Sequence, residues 1–280
     1  MTDQPLRLLV LGAHPDDAEF HAGGLAAIYA QRGHVVKMVS VTNGAAGHHE
    51  MPATELAQRR SQEAAAAGNV IGACYDVWSF PDGQLQPTLE VREAIIREIR
   101  TFAPDLVVTH RTCDYHPDHR AVGQAVQDAS YLVTVPLVVP EVPILGKDPV
   151  VAYMTDPFTK PTALEAHAVI DIDPYLDTII EMVSQHVSQV FEFLPYNKGN
   201  FDSVPTDPDS RLPWLRETFQ QYIEWRSDKH REALIAAYGE TRGNQVRCME
   251  AYEISEYARS LDEERKSQLF QNRVLGTRRD

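Results

Sequence analysis

The sequence predicts an α/β protein, a three-layer αβα sandwich with a Rossmann-like, mostly parallel sheet and a helical elaboration in its C-terminal part. Two observations lead to this fold class. Short, almost wholly apolar runs alternate with segments of helical periodicity through the first 135 residues. Strands without polar alternation are typical of parallel sheets that helices cover on both faces, and right-handed crossovers connect such strands.

The elements of the first half follow from this alternation. The apolar run from Leu6 to Leu11 ends in Gly12 and predicts the first strand. Helical spacing ahead of a glycine stop then predicts a helix over Gly23 to Gln31. Further along we predict strands over Val35 to Thr42, Tyr75 to Phe80 and Leu106 to His110, and helices over Ala53 to Ala67, Thr88 to Phe102 and Pro117 to Tyr131.

The second half has a weaker pattern. The predicted elements are strands over Val150 to Met154 and Ala168 to Ile172, a helix over Pro174 to Phe193, a long loop over Tyr196 to Pro213, and helices over Trp214 to Tyr238 and Ile254 to Phe270. Nothing marks a domain boundary, and 280 residues lie near the upper size of one domain. We therefore predict a single domain over 1–280, with residues 1–135 as the core that carries the metal motifs and 136–280 as the remaining strands, loop and helices.

Charge and composition exclude several classes of partner. Lys and Arg total 26 against 40 for Asp and Glu, so the formal net charge is −14, which repels nucleic acid and anionic lipid surfaces. The apolar stretch from Tyr131 to Leu145 is broken by prolines and is too short to span a membrane. We expect no nucleic-acid partner and no membrane insertion.

Cysteine usage favours a reducing compartment. Cys74, Cys113 and Cys248 are an odd number, far apart and without a CxxC pair, which disfavours a disulfide framework or a thiolate zinc site. The first residues have no basic region followed by a long apolar run, as a secretion signal would have. We expect a cytoplasmic protein.

Two polar segments follow the first and fourth predicted strands. The first runs from Gly12 to Glu19 as GAHPDDAE, and the second from Asp114 to His119 as DYHPDH. In open α/β sheets, ligands bind in the crevice beyond the carboxyl ends of the strands. We therefore expect these two segments, which are distant in sequence, to meet in space.

The residue types in both segments suit a divalent metal. Pro117 is well placed as a first helical residue, so that His116 caps the helix and His119 lies one turn along the same face. In the first segment His14 and Asp17 can converge on one point, with Asp16 beside them. Histidine nitrogens and carboxylate oxygens without cysteine fit Zn²⁺ or a similar ion, and three protein ligands leave a position for water. The pattern indicates metal-assisted hydrolysis, although spacing alone does not separate His116 from His119 as the ligand.

Each segment also has an ordinary structural interpretation. A lone His-x-x-His pattern is commonly formed by surface or capping histidines, and Asp-Asp after a strand is commonly a helix N-cap. Both segments lie at strand ends of one predicted parallel sheet, and this coincidence favours the metal site.

These residues resemble the LmbE-like, or PIG-L, family of zinc-dependent N-deacetylases. AHPDDAE and HPDH carry the resemblance, and GG at Gly23 and Gly24, R-x-x-E at Arg60 and Glu63, and PDG from Pro81 to Gly83 support it. The similarity covers about the first 130 residues. By this resemblance the ligands of one zinc ion per subunit, or of another divalent transition metal, are His14, Asp17 and His119.

The resemblance also implies catalytic and substrate-binding roles. Asp16 matches the general base, and His116 matches the residue that stabilises the oxyanion or protonates the leaving amine, with Asp118 orienting it. Arg60 and Asp82 match positions that contact sugar hydroxyls. For Arg60 the alternative is a helix-surface ion pair with Glu63, and Asp82 is also an ordinary turn residue.

For three histidines near these motifs, the sequence allows two roles each. His21 either lines the pocket or caps the helix, and we favour the cap. His48 and His49 either belong to a loop on the substrate side or are exposed to solvent, the usual case for adjacent histidines in a polar loop. No role is predicted for the 196–213 loop.

The function predicted from the sequence is metal-dependent hydrolysis of a linear amide. By the family resemblance, the expected substrate is a small molecule, an N-acetylglucosamine-type amino sugar or its conjugate, and a homo-oligomer is expected. One alternative is a metal phosphoesterase. Another is a non-enzymatic, Rossmann-like binding module, which the lack of GxGxxG after the first strand disfavours.

Overall fold

The computed structural model describes residues 4–271, and within them seven strands form one sheet. The strands are β1 (Arg7–Gly12), β2 (Val35–Thr42), β3 (Cys74–Phe80), β4 (Leu106–Thr109), β5 (Val150–Met154), β6 (Ala168–Asp171) and β7 (Met249–Ile254). Their order across the sheet is β3-β2-β1-β4-β5-β7-β6. All neighbouring pairs are parallel except those of β7, which runs antiparallel to β5 and β6.

Helices cover both faces of this sheet. They are α1 (Asp17–Gln31), α2 (Ala53–Val70), α3 (Leu89–Phe102), α4 (Pro117–Leu132), α5 (Leu176–Ser184), α6 (Leu194–Lys198), α7 (Pro208–Lys229), α8 (Arg231–Gln245) and α9 (Glu263–Leu269). Between residues 4 and 271, none of them is long and apolar enough to cross a membrane.

The strand β1 separates two hydrophobic cores. Leu8 and Val10 pack in one core with α1, α5 and α7, whereas Leu9 and Leu11 pack in the other with α3 and α4. Successive side chains of a strand point to opposite faces, so a strand buried on both faces must be apolar at every position. The predicted three-layer α/β class with a mostly parallel sheet is confirmed.

Several element bounds differ from the prediction. The helix α1 begins at Asp17 instead of Gly23. The prediction missed its first turn because that turn carries polar residues in the sequence, although most of these residues are buried in the structure. The helix predicted over Pro174 to Phe193 is divided into a 3₁₀ turn, α5 and a π-helical segment. In the predicted 196–213 loop, helix α7 already begins at Pro208.

The largest error concerns β7. No strand was predicted over Met249–Ile254, and the helix predicted over Ile254 to Phe270 is reduced to the short α9. The strand β7 carries two glutamates. Because a buried strand is expected to be apolar, the charged Glu250 hid this strand from the hydrophobicity pattern. The division of the domain at residue 135 stays a prediction, and residues 1–3 and 272–280 of the predicted domain lie outside the described part.

Glu250 connects β7 to α1. Its carboxylate is 1% exposed and accepts hydrogen bonds from the backbone N–H groups of Gly24 (2.7 Å) and Leu25 (2.9 Å). The hydroxyl of Tyr252 donates a third hydrogen bond at 2.8 Å. A Cβ at Gly24 would overlap the side chain of Ile172 and approach Glu250, so the close approach requires glycine here.

We expect Gly24→Ala to lower the free energy of unfolding by about 1–3 kcal/mol, because the added methyl group overpacks this contact. The matched control is Gly23→Ala, whose Cβ would lie at an ordinary 3.4 Å from Ile179. Alanine is the better helix former by about 1 kcal/mol, so the control should be neutral or stabilising. Urea unfolding of both variants measures the difference, and equal stabilities would contradict the packing argument.

Candidate metal centre

The candidate site lies beyond the carboxyl ends of β1 and β4. These two strands are parallel neighbours. The chain places β2 and β3 on one side of β1 and then crosses to its other side to form β4, so the strand order reverses between β1 and β4. The turn that contains His14 follows β1, and the segment that contains His119 follows β4. The two imidazole rings lie 5.2 Å apart, so the fold brings the two predicted segments together.

Three side chains form a compact triangle. His14 Nδ1 lies 3.2 Å from His119 Nε2 and 3.5 Å from Asp17 Oδ2, and His119 Nε2 lies 3.4 Å from Asp17 Oδ1. Ligand atoms at the usual 2.0–2.1 Å from a tetrahedral zinc ion are about 3.3–3.4 Å apart. The donor types and their spacing therefore fit a zinc ion or a similar divalent metal. Two groups of residues able to hold a metal share His119: one adds His14 and His116, and the other adds Asp17 and His110.

Two carboxylates orient the ring of His14. Its Nε2 lies 3.2 Å from Asp82 Oδ1 and 3.3 Å from Asp118 Oδ2. The Asp118 carboxylate is itself held by the N–H groups of Gly83 (2.7 Å) and Leu85 (3.1 Å). A proton on Nε2 satisfies these carboxylates, which leaves the lone pair of Nδ1 for a metal.

Asp114 orients the ring of His119, as Asp82 and Asp118 orient the ring of His14. Its Oδ1 lies 3.1 Å from His119 Nδ1 and accepts the backbone N–H of His116 at 2.9 Å. The sequence analysis assigned no role to Asp114, although it begins the DYHPDH segment. A carboxylate next to a metal-binding histidine motif is the signal that could have identified it.

His110 ends the fourth predicted strand, where its position suggests a supporting contact with the site, and the structure places it against Asp17. Its Nε2 lies 3.0 Å from Asp17 Oδ2, and its ring stacks on that of His119 with centroids 3.9 Å apart. Asp17 Oδ2 also accepts the N–H groups of Ala13 (2.9 Å) and His14 (2.7 Å). Because three donors surround Oδ2, the other oxygen is the one free to bind a metal.

The contacts of Asp118 differ from the expectation. Its carboxylate contacts His14, and only its backbone N–H reaches His116, where it donates to Nδ1 at 3.2 Å. The expected orientation of His116 by the Asp118 side chain is therefore wrong. The physical reason is that the backbone amides of Gly83 and Leu85 hold both carboxylate oxygens on the other side.

Asp16 occupies a strained backbone position beside the triangle. Its φ is 143°, in the region that favours glycine, and such strain is concentrated at functional sites. Its N–H donates to the hydroxyl of Tyr75 at 3.2 Å, and its Oδ1 lies 3.3 Å from Arg60 Nη2. Burial raises the pKa of the Asp16 carboxyl to about 6, and the Arg60 guanidinium opposes part of that rise.

Arg60 is 2% exposed and belongs to the floor of the site. It donates to the carbonyls of Pro15 (2.8 Å) and Gly44 (3.1 Å), in addition to its contact with Asp16. Glu63 instead accepts from Arg59 at 3.0 Å, so the alternative interpretation of Arg60 as the partner of Glu63 is wrong. Arg60 and Asp82 both line the cavity, and their contact with a sugar stays a prediction.

The electrostatics of the cluster suit a cation. Burial by itself lowers the pKa of His14, but hydrogen bonds to carboxylates, first Asp118 and then Asp17, raise that pKa well above its ordinary value. Burial likewise lowers the pKa of His119, and Asp17 and Asp114 raise it to about 9. The negative potential that favours protons on both rings also favours a divalent metal.

The triangle opens into a cavity of about 600 Å³. His21 lines this cavity, its ring 5.9 Å from that of His110, so the helix-cap interpretation is wrong. His48 and His49 are half-buried instead of exposed: His48 Nε2 lies 3.1 Å from Glu192, and His49 stacks on Tyr196 with centroids 3.9 Å apart. These contacts hold the loop after β2 against the segment around α6.

Comparison with known proteins agrees with this geometry. Residues 9–130 match the family model PIG-L, GlcNAc-PI de-N-acetylase, so the resemblance to the PIG-L (LmbE-like) family is confirmed over this part of the chain. The chain is 26% identical over 153 residues to 4-oxalmesaconate hydratase of Pseudomonas putida. The aligned residues make up 52% of this chain and 59% of that protein. It is 31% identical over 123 residues to diacetylchitobiose deacetylase of Thermococcus kodakarensis, 42% of this chain and 46% of that protein.

A solved structure is similar over most of the chain. The N,N'-diacetylchitobiose deacetylase of Pyrococcus horikoshii matches with a TM-score of 0.68 and 18% identity, covering 90% of this chain and 84% of that one. At this identity the match shows the fold alone. The chain spans about half the length of the curated relatives it matches.

We expect His119→Ala to abolish stoichiometric zinc binding, because it removes one corner of the triangle. Metal analysis of the purified variant after dialysis against zinc measures this. Retention of one zinc per chain would contradict the assignment of His119 as a ligand.

We expect Asp114→Asn to weaken zinc affinity by about 10–100-fold, because it removes the carboxylate that orients His119. Competition with a chromophoric chelator gives the affinity. Asp128→Asn is the matched control, since Asp128 lies on α4 and contacts Gln124 away from the cavity. An unchanged affinity in Asp114→Asn would show that this contact does not support the metal.

Proposed function

We propose that this protein is a zinc-dependent hydrolase that removes the N-acetyl group from an N-acetylglucosamine-type amino sugar or its conjugate. The observation that carries the proposal is the triangle of His14, Asp17 and His119, which opens into a cavity with the carboxylate of Asp16 at its edge. The named deacetylase relative and the PIG-L match support the same reaction class.

The donor set suits zinc. His14 Nδ1, His119 Nε2 and one oxygen of Asp17 would hold the ion, and nitrogen donors favour zinc over magnesium or calcium. When bound in such a site, zinc polarises a carbonyl and lowers the pKa of water to about 7.

The chain's own residues would move the protons. Asp16, positioned by Arg60, accepts a proton from the attacking water at its carboxylate. His116 lines the cavity next to His14, with ring centroids 4.5 Å apart. Its imidazole passes a proton to the departing nitrogen, because an amide anion is a poor leaving group, and the proton that Asp16 took from water replaces the one that His116 gives up. The products are acetate and a free amine.

The charges around the cavity disfavour the phosphoesterase alternative. Among the described residues that line it, the cationic side chains are Arg60 and Lys198, and Arg60 is already engaged by Asp16 and two carbonyls. The carboxylates in the lining are Asp16, Asp17, Asp82, Asp114 and Asp156. The described lining therefore offers few free cationic side chains to hold a phosphate, and the same lack disfavours a nucleotide-binding module.

A hydratase is the second candidate function, because one curated relative is named 4-oxalmesaconate hydratase. Activated water could add to a carbon–carbon double bond as well as to an amide carbonyl. The substrate in that name carries several carboxylates, and the described lining offers few free cationic side chains to pair with them.

Further properties stay predictions within this proposal. A small-molecule substrate fits a cavity of about 600 Å³. The three cysteines are free thiols, as expected in the cytoplasm. The homo-oligomer is proposed from the sequence resemblance alone.

One comparative assay tests the reaction class. The zinc-loaded protein is incubated with a panel of N-acetylated amino sugars, with an aryl phosphate and with an unsaturated tricarboxylate. We expect release of acetate and neither phosphate release nor loss of the unsaturated chromophore. Hydration of the tricarboxylate without acetate release would replace the deacetylase proposal with the hydratase one.

We expect Asp16→Asn to keep its zinc and to lower kcat for acetate release by at least about 100-fold, because asparagine cannot accept the proton. Asp128→Asn again serves as the control and should keep wild-type turnover. The comparison needs metal content and kcat for each protein. Undiminished turnover in Asp16→Asn would reject its role as the base.

A further inference from the structure

One wall of the cavity is aromatic. It is formed by α1 and α7, and we call Phe20, Trp214, Phe219 and Tyr222 the aromatic wall. The ring of Phe20 lies 5.6 Å from that of Phe219 and 5.8 Å from that of Tyr222, so these three rings form one cluster, and Trp214 lines the cavity further along α7.

Part of this apolar surface is not covered by protein. Tyr222 is 43% exposed, and Phe20 and Trp214 are half-buried. Contiguous apolar surface left open in a concave site is typical of a ligand-binding surface. The wall therefore has aromatic area available for a ligand.

Polar groups are few along this wall. The residues of α7 that line the cavity are Trp214, Leu215, Thr218, Phe219 and Tyr222. Among these five, Thr218 and Tyr222 each offer one hydroxyl and Trp214 offers one indole N–H as hydrogen-bonding groups. A second sugar ring would bring several hydroxyls, each of which loses water on binding and needs a partner.

Charge is distributed unevenly over the cavity. Asp16, Asp17, Asp82 and Asp114 lie in the metal cluster and its immediate contacts. At the wall, the charged neighbours are Lys198, whose Nζ lies 5.1 Å from the ring centroid of Tyr222, and the buried Arg226, which donates to the carbonyl of Phe20 at 3.1 Å. The acidic end suits the metal and the amide, and the aromatic end suits an uncharged apolar group.

We propose that the amino sugar carries an uncharged aryl or alkyl aglycone, and that this aglycone packs on the aromatic wall. The inference rests on the proposed deacetylase function and adds the class of the substituent. The cavity volume of about 600 Å³ lies within the roughly 300–1,000 Å³ of sites for drug-sized ligands, which leaves room for such a group beside the sugar.

The experiment compares matched glycosides of N-acetylglucosamine, with methyl, phenyl and octyl groups at the same anomeric position and N,N'-diacetylchitobiose as the sugar-bearing counterpart. Acetate release from each by zinc-loaded enzyme gives kcat and KM. We expect kcat/KM for the phenyl and octyl glycosides to exceed that for the methyl glycoside by at least about tenfold, mainly through KM. The disaccharide should show no comparable gain.

Wall variants assign this preference to the aromatic wall. We expect Tyr222→Ala to reduce the phenyl-to-methyl ratio of kcat/KM by about tenfold, the effect of roughly 1.4 kcal/mol of ring contact. Tyr222→Phe should retain the ratio. The matched control is Trp225→Ala, an aromatic residue of the same helix that does not line the cavity and contacts Lys229. It should also retain the ratio.

The outcomes separate this inference from the proposed function. Equal kcat/KM values for all glycosides, with acetate released, would overturn the aglycone inference and leave the deacetylase proposal standing. No acetate from any substrate would overturn the deacetylase proposal. In that case calorimetry with phenyl β-glucoside, which has no amide, decides about the wall: binding about tenfold weaker to Tyr222→Ala supports it, and equal binding overturns it.

Discussion

The parallel pairing of β1 with β4 is the constraint on which the rest of the site depends. Leu11 pairs with Thr109 near the carboxyl ends of the two strands, so the segments that follow must enter the same crevice. His14 and His119 are 105 positions apart, yet their ring nitrogens approach to 3.2 Å. Without this strand order the two histidine motifs would be separate surface features.

Carboxylates fix the orientation of these two histidine rings. Asp82, Asp114 and Asp118 each fix one histidine nitrogen by a hydrogen bond, which selects the nitrogen that stays free for a metal. The overall charge of −14 hides this detail, because most acidic residues are elsewhere. The few acidic residues in the site make the local electrostatic potential negative, and a bound divalent cation would reverse that sign.

The second half of the chain completes the site that the first half begins. Glu250 of β7 binds two backbone N–H groups of α1, the helix that begins at Asp17. The helix α7 packs against α5 and supplies Trp214 and Tyr222 to the cavity. Chemistry and specificity thus come from different parts of the sequence, joined by one sheet.

The sequence by itself determined the α/β class, the metal-ligand residue types and their position after β1 and β4, because periodicity, proline and strand ends are local signals. It did not reveal β7, the contact of Asp114 with His119, or the pairing of Glu63 with Arg59 instead of Arg60. Only the tertiary structure decided that the Asp118 carboxylate holds His14. That choice depends on backbone amides more than thirty residues away, and no local pattern records contacts across such a distance.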